Sequence, residues 1–561
     1  MSKLWSMSRR FSENQSGSVA IMFALSAAAT IFLLGASIDF TRSSMVRARL
    51  QAASDATILA LARQGSLSGL ELSARATQLF ATNIGGDPNA RIVAGPDHRN
   101  NGVELCIDTM TTANASFMQM AKVDAITVRA TACAAVSDAF YEIALVLDNS
   151  GSMSEWAGAT TKINGLKSAA AAMLDKLAAA GGTSAVAAYS IVPFAASVNI
   201  GPQYRTAPFM DRYGQSAIHW QNIFNPVVAG ASWRPQSRFD IYDKLFNAAD
   251  FASGTAWSGC VEERPGDLFL SDAPADPTLP NSLYVPMFAP DEPYGADNSY
   301  LSDSGGSCVA GDAYEQKDIA DGAGSGRSKM CKYNVASKLS KSYASYPNKS
   351  CTSKPLLPLT LDVASAKSAI SDLAASGNTN ITSGLLWGWR TISPATPFMP
   401  ALTTSTGQQT PTSYGGRTGD GRLVKKVIVL MTDGDNTWGS NAYSYYRKLA
   451  GGGTSYASID TGRYGPFGYW QNARMGYAPT GNSGAVEQMD DTVKTLCGLI
   501  KNKGVTIYTV GFGSSISANG KAILQACASD PDKYFTPNSD VDIVATFQTI
   551  ADSLQILRLT R

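Results

Sequence analysis

Three short stretches carry oxygen-bearing side chains at spacings that suit a metal ion. In ALVLDNSGSM, residues 144–153, Asp148, Ser150 and Ser152 alternate behind an apolar run. In VLMTDGDNT, residues 429–437, Asp433 ends a second apolar run in the same way. In ASGNTNITSGLLWGWRTISP, residues 375–394, a polar loop bearing Thr379 opens a helix that carries Leu385, Leu386 and Trp387. Hydroxyls from Ser150, Ser152 and Thr379 with carboxylates from Asp148 and Asp433 make an all-oxygen set. Such a set suits Mg²⁺ or Mn²⁺ at octahedral geometry, or Ca²⁺ where the site is looser. Two carboxylates against a dication leave it close to neutral, and hydroxyls donate little charge, so the ion keeps an appetite for one further anionic oxygen. Each acid also has a structural reading alone: Asp148 as a helix N-cap, and Asp433 as a turn residue beside Gly434.

The elements around these stretches place the acids together. Short apolar runs, YEIALVLD, SAVAAYSIVPF, LVKKVIVLMTDGD and VTIYTVGFG, alternate with the helical stretches KINGLKSAAAAMLDKLAAA, GAVEQMDDTVKTLCGLIKNKG, NGKAILQACAS and VDIVATFQTIADSLQILRL. This alternation predicts an α/β domain over residues 138–561, a parallel sheet covered by helices on both faces. Ligands of open parallel sheets bind where loops converge at the carboxyl ends of the strands, so Asp148 and Asp433 should meet there. Two large loop insertions interrupt the pattern. Residues 200–358 are rich in Pro, Gly, Ser, Tyr and Asp, and residues 438–483 are aromatic, with Trp438, Tyr443, Tyr445, Tyr446, Tyr456, Tyr464, Phe467, Tyr469, Trp470 and Tyr477. Long insertions in a compact domain are functional or disordered, and the aromatic one reads as a protein or glycan contact surface rimming the site.

Ahead of this domain, residues 17–38 read as a transmembrane helix, apolar and uncharged from Val19 to Ile38, with residues 1–16 as a cytoplasmic N-terminus. Helical composition continues to about residue 65, and Met45, Leu50, Ala53, Thr57 and Leu61 offer one apolar face. Residues 66–137 read as a small β-rich stalk, in which the strands GVELCID and AITVRATACAAV bridge Cys106 to Cys133. The chain has eight cysteines, all after the span and without metal spacing. They favour disulfides and export, with the large C-terminal part in the periplasm or outside the cell. Cys497 and Cys527 flank one strand and are a candidate bridge, while Cys260, Cys308, Cys331 and Cys351 allow three pairings.

Other functions find little support. Formal net charge is +1, which argues against nucleic acid or a polyanionic partner. The chain has only two histidines, His98 and His219, read as loop residues, which leaves a zinc framework almost without ligands. DSGGS at residues 303–307 has Ser302 where a serine-protease loop needs glycine, and GFGSS lacks the third glycine of a dinucleotide loop. No general base beyond the aspartates stands near the oxygen set, so the chain reads as a non-enzyme. Asp435 reads as solvated.

Asp148-x-Ser150-x-Ser152, a threonine loop at residues 377–382 and Thr432-Asp433-Gly434 together resemble a von Willebrand factor A (VWA) domain with its metal-ion-dependent adhesion site (MIDAS). The resemblance implies a Rossmann-like fold and the metal set Asp148, Ser150, Ser152, Thr379 and Asp433, the last acting through water. It implies that the open coordination position takes a carboxylate from a protein partner. The threonine loop departs from the family's Gly-Gly-Thr or Gly-x-Thr and offers Thr379 or Thr382, of which Thr379 is preferred. The segment GSVAIMFALSAAATIFLLGASIDFTRSSMVRARLQAASDATILALA is similar to the N-terminal part of TadE/TadG-like proteins of the Flp (Tad) pilus-assembly system. WGWRTISP and FQTIADSLQILRLTR are similar to parts of TadG-type proteins. Some relatives are cut after a glycine with a glutamate five positions on; here Gly17 is followed by Met22. The implied role is adhesion or pilus assembly from the bacterial inner membrane; the alternative is a structural part of the machinery whose metal site only stabilises the fold.

Overall fold

The computed structural model describes residues 18–62, 69–99, 104–135, 139–180, 186–223, 235–292, 296–301, 333, 336–398, 409–419, 421–448, 454–460, 462–476, 479, 481–555 and 559–560. The chain forms two compact units, Met1–Asp138 with Gln555–Arg561, and Ala139–Leu554.

In the first unit, α1 (Ser18–Ala62) runs for 45 residues. Its upstream part leaves Ile21, Met22, Phe23, Leu25, Ile31, Leu33 and Leu34 exposed. A helix apolar all round needs an apolar surround, and among the described residues this is the one helix long and apolar enough to cross a membrane. Downstream, Leu50, Ala53, Thr57, Ile58 and Leu61 are buried at helical spacing. Met45, expected on that face, is exposed instead, because the stripe continues upstream through the partly buried Val46, one position round the helix. The stripe packs on an antiparallel sheet of β1 (Arg91–Arg99), β2 (Glu104–Asn114) and β3 (Ala125–Ala135). Cys106 and Cys133 face one another across β2 and β3 and form a disulfide. Asp39, near the end of the apolar stretch, accepts N–H bonds from Ser116, Phe117 and Met118 at 3.0, 2.8 and 2.8 Å, which fixes the sheet's loop against the helix.

The unit also contains α2 (Gly69–Ile84), absent from the β-rich reading of residues 66–137. Its signal is Leu72, Ala76 and Phe80 at four-residue steps, all buried. Leu559–Thr560 pair with β3, so the end of the chain belongs to this unit. His98, expected in a loop, instead lies in β1, its backbone paired opposite Leu105 of β2; its side chain lies outside the described residues.

The second unit is mixed α/β. Its chain order is β4 (Ala139–Asp148), α3 (Lys162–Ala180), β5 (Ala187–Phe194), α4 (Arg238–Leu245), β6 (Leu357–Thr360), α5 (Val363–Ser371), α6 (Ile381–Ile392) and β7 (Leu423–Thr432). There follow β8 (Ala442–Lys448), β9 (Thr454–Asp460), α7 (Gly481–Asn502), β10 (Thr506–Gly511), α8 (Ala518–Cys527), β11 (Tyr534–Phe535) and α9 (Asp540–Gln555). The main sheet has six strands in the order β6-β5-β4-β7-β10-β11. Every neighbouring pair is parallel except β6 on β5, an antiparallel edge. Along β4 the side chains alternate between faces: Ile143, Leu145 and Leu147 pack with α3, α5 and α9, while Ala144 and Val146 pack with α6, α7 and α8. β4 is buried from end to end, as expected of a central strand covered on both sides. Cys497 of α7 and Cys527 of α8 are joined.

The insertion at residues 200–358 is loop-rich, but Tyr204, Phe209, Trp257, Tyr284 and Phe288 enter the same core as Leu385 and Trp387 of α6. Cys260–Cys351 closes it, which selects one pair among the four cysteines left open; Cys308, Cys331 and DSGGS lie outside the described residues. Of the aromatic residues of the second insertion, those whose side chains are described, Trp438, Tyr464, Phe467, Tyr469 and Trp470, are all buried rather than displayed. They fill the space between insertion and sheet, because rings with polar tips supply apolar area and a hydrogen bond at once. Tyr469 Oη, for example, donates to buried Glu292 at 2.7 Å. Side chains of Tyr443, Tyr445, Tyr446 and Tyr456, and all of Tyr477, lie outside the described residues.

His219 is a loop residue but a buried one. Its Nδ1 meets Asp211 Oδ2 at 2.7 Å and its Nε2 accepts from the Arg238 N–H at 2.9 Å, so both ring nitrogens are engaged in holding α4. Arg390 of α6 reaches Glu263 of the insertion at 2.6 Å, both side chains almost wholly buried. That ion pair ties the insertion to the helix that begins at the threonine loop. Arg390→Ala should destabilise the second unit by about 3–5 kcal/mol, since it strands a buried carboxylate. The double change Arg390→Met with Glu263→Leu should recover most of the loss; urea unfolding checks both.

Candidate metal centre

β4 and β7 lie side by side and parallel, with Met431 opposite Leu147, so their last residues reach the same edge of the sheet. Asp148 ends β4 and Asp433 follows β7, and both are fully buried. Apolar runs drive the strands inward, and the acid that closes each run, Asp433 directly after Thr432 in the second, is carried to the brink of the core. There the chain turns. The Asn149 N–H donates to the Phe194 carbonyl at the end of β5, and Ser150 N–H donates to Asp148 Oδ1 at 2.7 Å. Thr432 Oγ1 donates to Asp148 Oδ2 at 2.6 Å. Asp148 is thus held from both oxygens.

The hydroxyls form a short relay. Ser150 Oγ lies 3.1 Å from Ser152 Oγ, and Ser152 Oγ donates to Asp433 Oδ1 at 2.7 Å. In an octahedral magnesium shell with bonds of about 2.0–2.1 Å, adjacent oxygens are about 3 Å apart. These separations are those of hydrogen bonds and equally of neighbouring ligands around one small dication, and the donor set is of the hard-oxygen kind that such an ion takes. Asp148, Ser150, Ser152 and Asp433 come together as the sequence placed them.

Thr379 stands on the adjoining loop. The carbonyl of Gly377, a residue at φ +86°, accepts from the Gly151 N–H at 2.9 Å, and the Ser376 N–H donates to the Asn149 carbonyl at 2.8 Å. Thr379 exchanges backbone and hydroxyl bonds with Thr437, each 2.8 Å. Its hydroxyl bonds none of the other four oxygen residues among the described contacts; its loop abuts them. Asn380 caps α6 by accepting from Ser383 N–H, which fixes where the loop ends. Thr382 lies inside α6, fully buried, and its hydroxyl points at the Met489 carbonyl of α7 at 3.4 Å. It is away from the site.

Lys162, missed from the sequence, completes the arrangement. From the start of α3 its Nζ reaches Asp433 Oδ2 at 2.8 Å, Glu155 Oε2 at 2.7 Å and Ser515 Oγ at 3.2 Å. Burial alone lowers a lysine pKa, but here the bonds to Asp433 and Glu155 outweigh it and hold the ammonium charged. The available signal was its position: a cation opening an alanine-rich helix soon after the serine loop. Asp435 is half-buried rather than solvated, with the Ser517 N–H at 3.3 Å, because α8 begins beside it. Asn436 bonds the Ile381 N–H and Asp490, joining β7's loop to α6 and α7.

Electrostatically the site is short of positive charge. Burial and, after it, the neighbouring Asp433 push Asp148 up to about 7, against the bonds from Thr432 and Ser150. Lys162 answers one carboxylate, and the other has only neutral donors.

No known family's sequence profile matches the chain, and no curated protein matches it. Among solved structures it is similar to the pilus adhesin SpaC from Lactobacillus rhamnosus GG, with 12% identity and a TM-score of 0.30 over 84% of this chain and 34% of that one. The chain therefore spans about a third of that adhesin. It is similar to the vWF domain of the type V pili tip protein Mfa5 from Porphyromonas gingivalis, with 11% identity and a TM-score of 0.30 over 74% and 95% of the two chains. It is also similar to the pilus adhesin RrgA from Streptococcus pneumoniae, with 10% identity and a TM-score of 0.29 over 84% and 50%. Likenesses this loose decide nothing about the chain's activity.

The raised Asp148 has a consequence for stability. In chelator, the folded protein keeps a proton on Asp148 that the unfolded chain releases above about pH 4, so stability falls as pH rises from there towards 7. Asp148→Asn should flatten that part of the profile and raise the melting temperature at pH 8 in EDTA. An unchanged profile would mean that Asp148 ionises freely.

Proposed function

We propose that the second unit is a VWA domain that binds a divalent cation, Mg²⁺ or alternatively Mn²⁺ or Ca²⁺, and uses it to capture a carboxylate of another protein. The observation that supports this reading is the run of oxygens from Ser150 through Ser152 to Asp433 at 3.1 and 2.7 Å, beside buried Asp148. Ser150, Ser152 and the two carboxylates would hold the ion, with Thr379 supplied by the adjoining loop. When bound, the cation supplies a positive centre that a carboxylate from outside can complete.

The residues of the chain divide the work. Thr432 and the Ser150 N–H orient Asp148; Lys162 holds one oxygen of Asp433 and leaves the other towards Ser152. With Lys162 pairing Asp433, the protein contributes less uncompensated negative charge than two carboxylates would, which strengthens the demand for an outside anion. We place the protein in Flp/Tad pilus assembly or surface attachment, as a TadG-like chain anchored by α1 in the inner membrane, with its second unit in the periplasm or outside the cell. Its partner would be a pilus-assembly or surface protein, and its role binding, not catalysis.

Asp148→Ala in the full chain, purified in detergent micelles, should abolish Mg²⁺ uptake in calorimetry and capture of the partner from cells. Capture that survives this change overturns the mechanism. Magnesium that raises the melting temperature while capture is unaffected by chelation would assign the ion to stability alone, as in a structural component of the assembly machinery.

A further inference from the structure

A cleft of about 860 Å³ opens beside the threonine loop, and Gly377 and Asn378 form part of its wall. Its charges are unbalanced. Lys341, Lys349 and Arg463 line it with a single carboxylate, Asp297, among the described residues. Asp297 serves two of them, at 3.1 Å from Lys349 and 3.0 Å from Arg463. Lys341 has an aromatic neighbour, with its Nζ 5.5 Å from the centre of the Phe251 ring, and no carboxylate among the described residues.

The cleft leads towards the candidate metal centre. Arg463 N–H donates to the Gly439 carbonyl at 2.7 Å, and a side chain on Gly439 would collide with both Arg463 Cδ and Asn378 Nδ2 at 2.6 Å. Arg463 is therefore packed against the residue that precedes Thr379. The far wall is made rigid. Cys351 is bridged to Cys260, and the preceding Ser350 sits at φ +67°, a left-handed conformation that strains a non-glycine residue. Ser350 is secured there by its Oγ donating to the Tyr464 carbonyl and its own carbonyl accepting from Ser197 Oγ, each at 2.7 Å. A strained, cross-linked wall facing a positively charged cleft is a surface kept in shape for contact.

We propose that this cleft seats an acidic, extended segment of the partner protein, held by Lys341, Lys349 and Arg463, so that a carboxylate at the segment's inner end arrives at Asp148 and Asp433. The proposal rests on the cation-capture reading for that last contact only. Clefts lined by one sign of charge concentrate oppositely charged ligands and steer their approach, so the basic lining selects acidic sequences before the metal is reached.

The test uses the full chain in detergent micelles and fluorescein-labelled decapeptides of alternating Glu-Gly or Gln-Gly, followed by fluorescence polarisation in Mg²⁺ or EDTA. Lys341→Glu with Lys349→Glu changes one exposed side chain and one partly buried one that pairs with Asp297, so folding is checked by an unchanged melting temperature. The Glu-Gly peptide should bind in Mg²⁺, the Gln-Gly peptide should not, and the double variant should weaken binding about tenfold while taking up Mg²⁺ normally, as expected when attractive rim charges become repulsive. Equal binding of both peptides, or unaltered binding to the double variant, overturns the cleft assignment and leaves the cation reading standing. Acidic-peptide binding that persists in EDTA and in Asp148→Asn but falls in the double variant supports the cleft and removes cation capture. Preference for an anionic oligosaccharide over the Glu-Gly peptide overturns the proposed occupant.

Discussion

Burial of two carboxylates at the ends of adjacent parallel strands sets the terms for the rest of the second unit. Asp148 and Asp433 are both withdrawn from water, and burial together with the Asp433 carboxylate beside it raises the cost of ionising Asp148. Charge in such a place has to be neutralised by protons, by fixed cations or by a bound ion. Lys162 supplies one fixed cation, and Thr432 and the Ser150 N–H supply neutral donors. The remaining deficit of positive charge is the property on which metal binding, and through it partner binding, would be built.

Holding that deficit in place needs a stiff frame. β4 is buried along its whole length, and the loops that follow β4, β5 and β7 are tied to one another by backbone bonds through Asn149, Gly151 and Thr379. The insertion at residues 200–358 contributes to the same frame rather than standing apart from it, through the Arg390–Glu263 pair, the Cys260–Cys351 bridge and a shared aromatic core. A site that left a metal unsaturated could not let its own side chains swing in to complete the shell. The buried anchors on these loops would prevent that.

What the sequence disclosed follows from how each signal is encoded. Apolar runs ending in Asp148 and Asp433 are local, and the parallel order of their strands follows from the intervening helices, so the meeting of these acids was legible. The Cys106–Cys133 bridge was legible for the same reason, as two short strands with one cysteine each. Lys162 was not, because a lysine at the start of a helix is ordinarily solvated, and only the fold shows that it points into the oxygen cluster. Trp438, Tyr464, Phe467, Tyr469 and Trp470 misled because composition cannot tell a ring buried against a neighbouring loop from one displayed to a partner. Met45 misled by a single step around α1, a difference that only the packed sheet defines.

The central claim is that Asp148, Ser150, Ser152 and Asp433 enclose one divalent ion. The most direct measurement is anomalous diffraction from crystals of the protein soaked in Mn²⁺. The account predicts a single strong peak about 2.2 Å from the two serine hydroxyls, with one coordination position turned outward. Manganese that binds elsewhere, or a cluster that stays closed by its own hydrogen bonds with no peak inside it, would contradict the account.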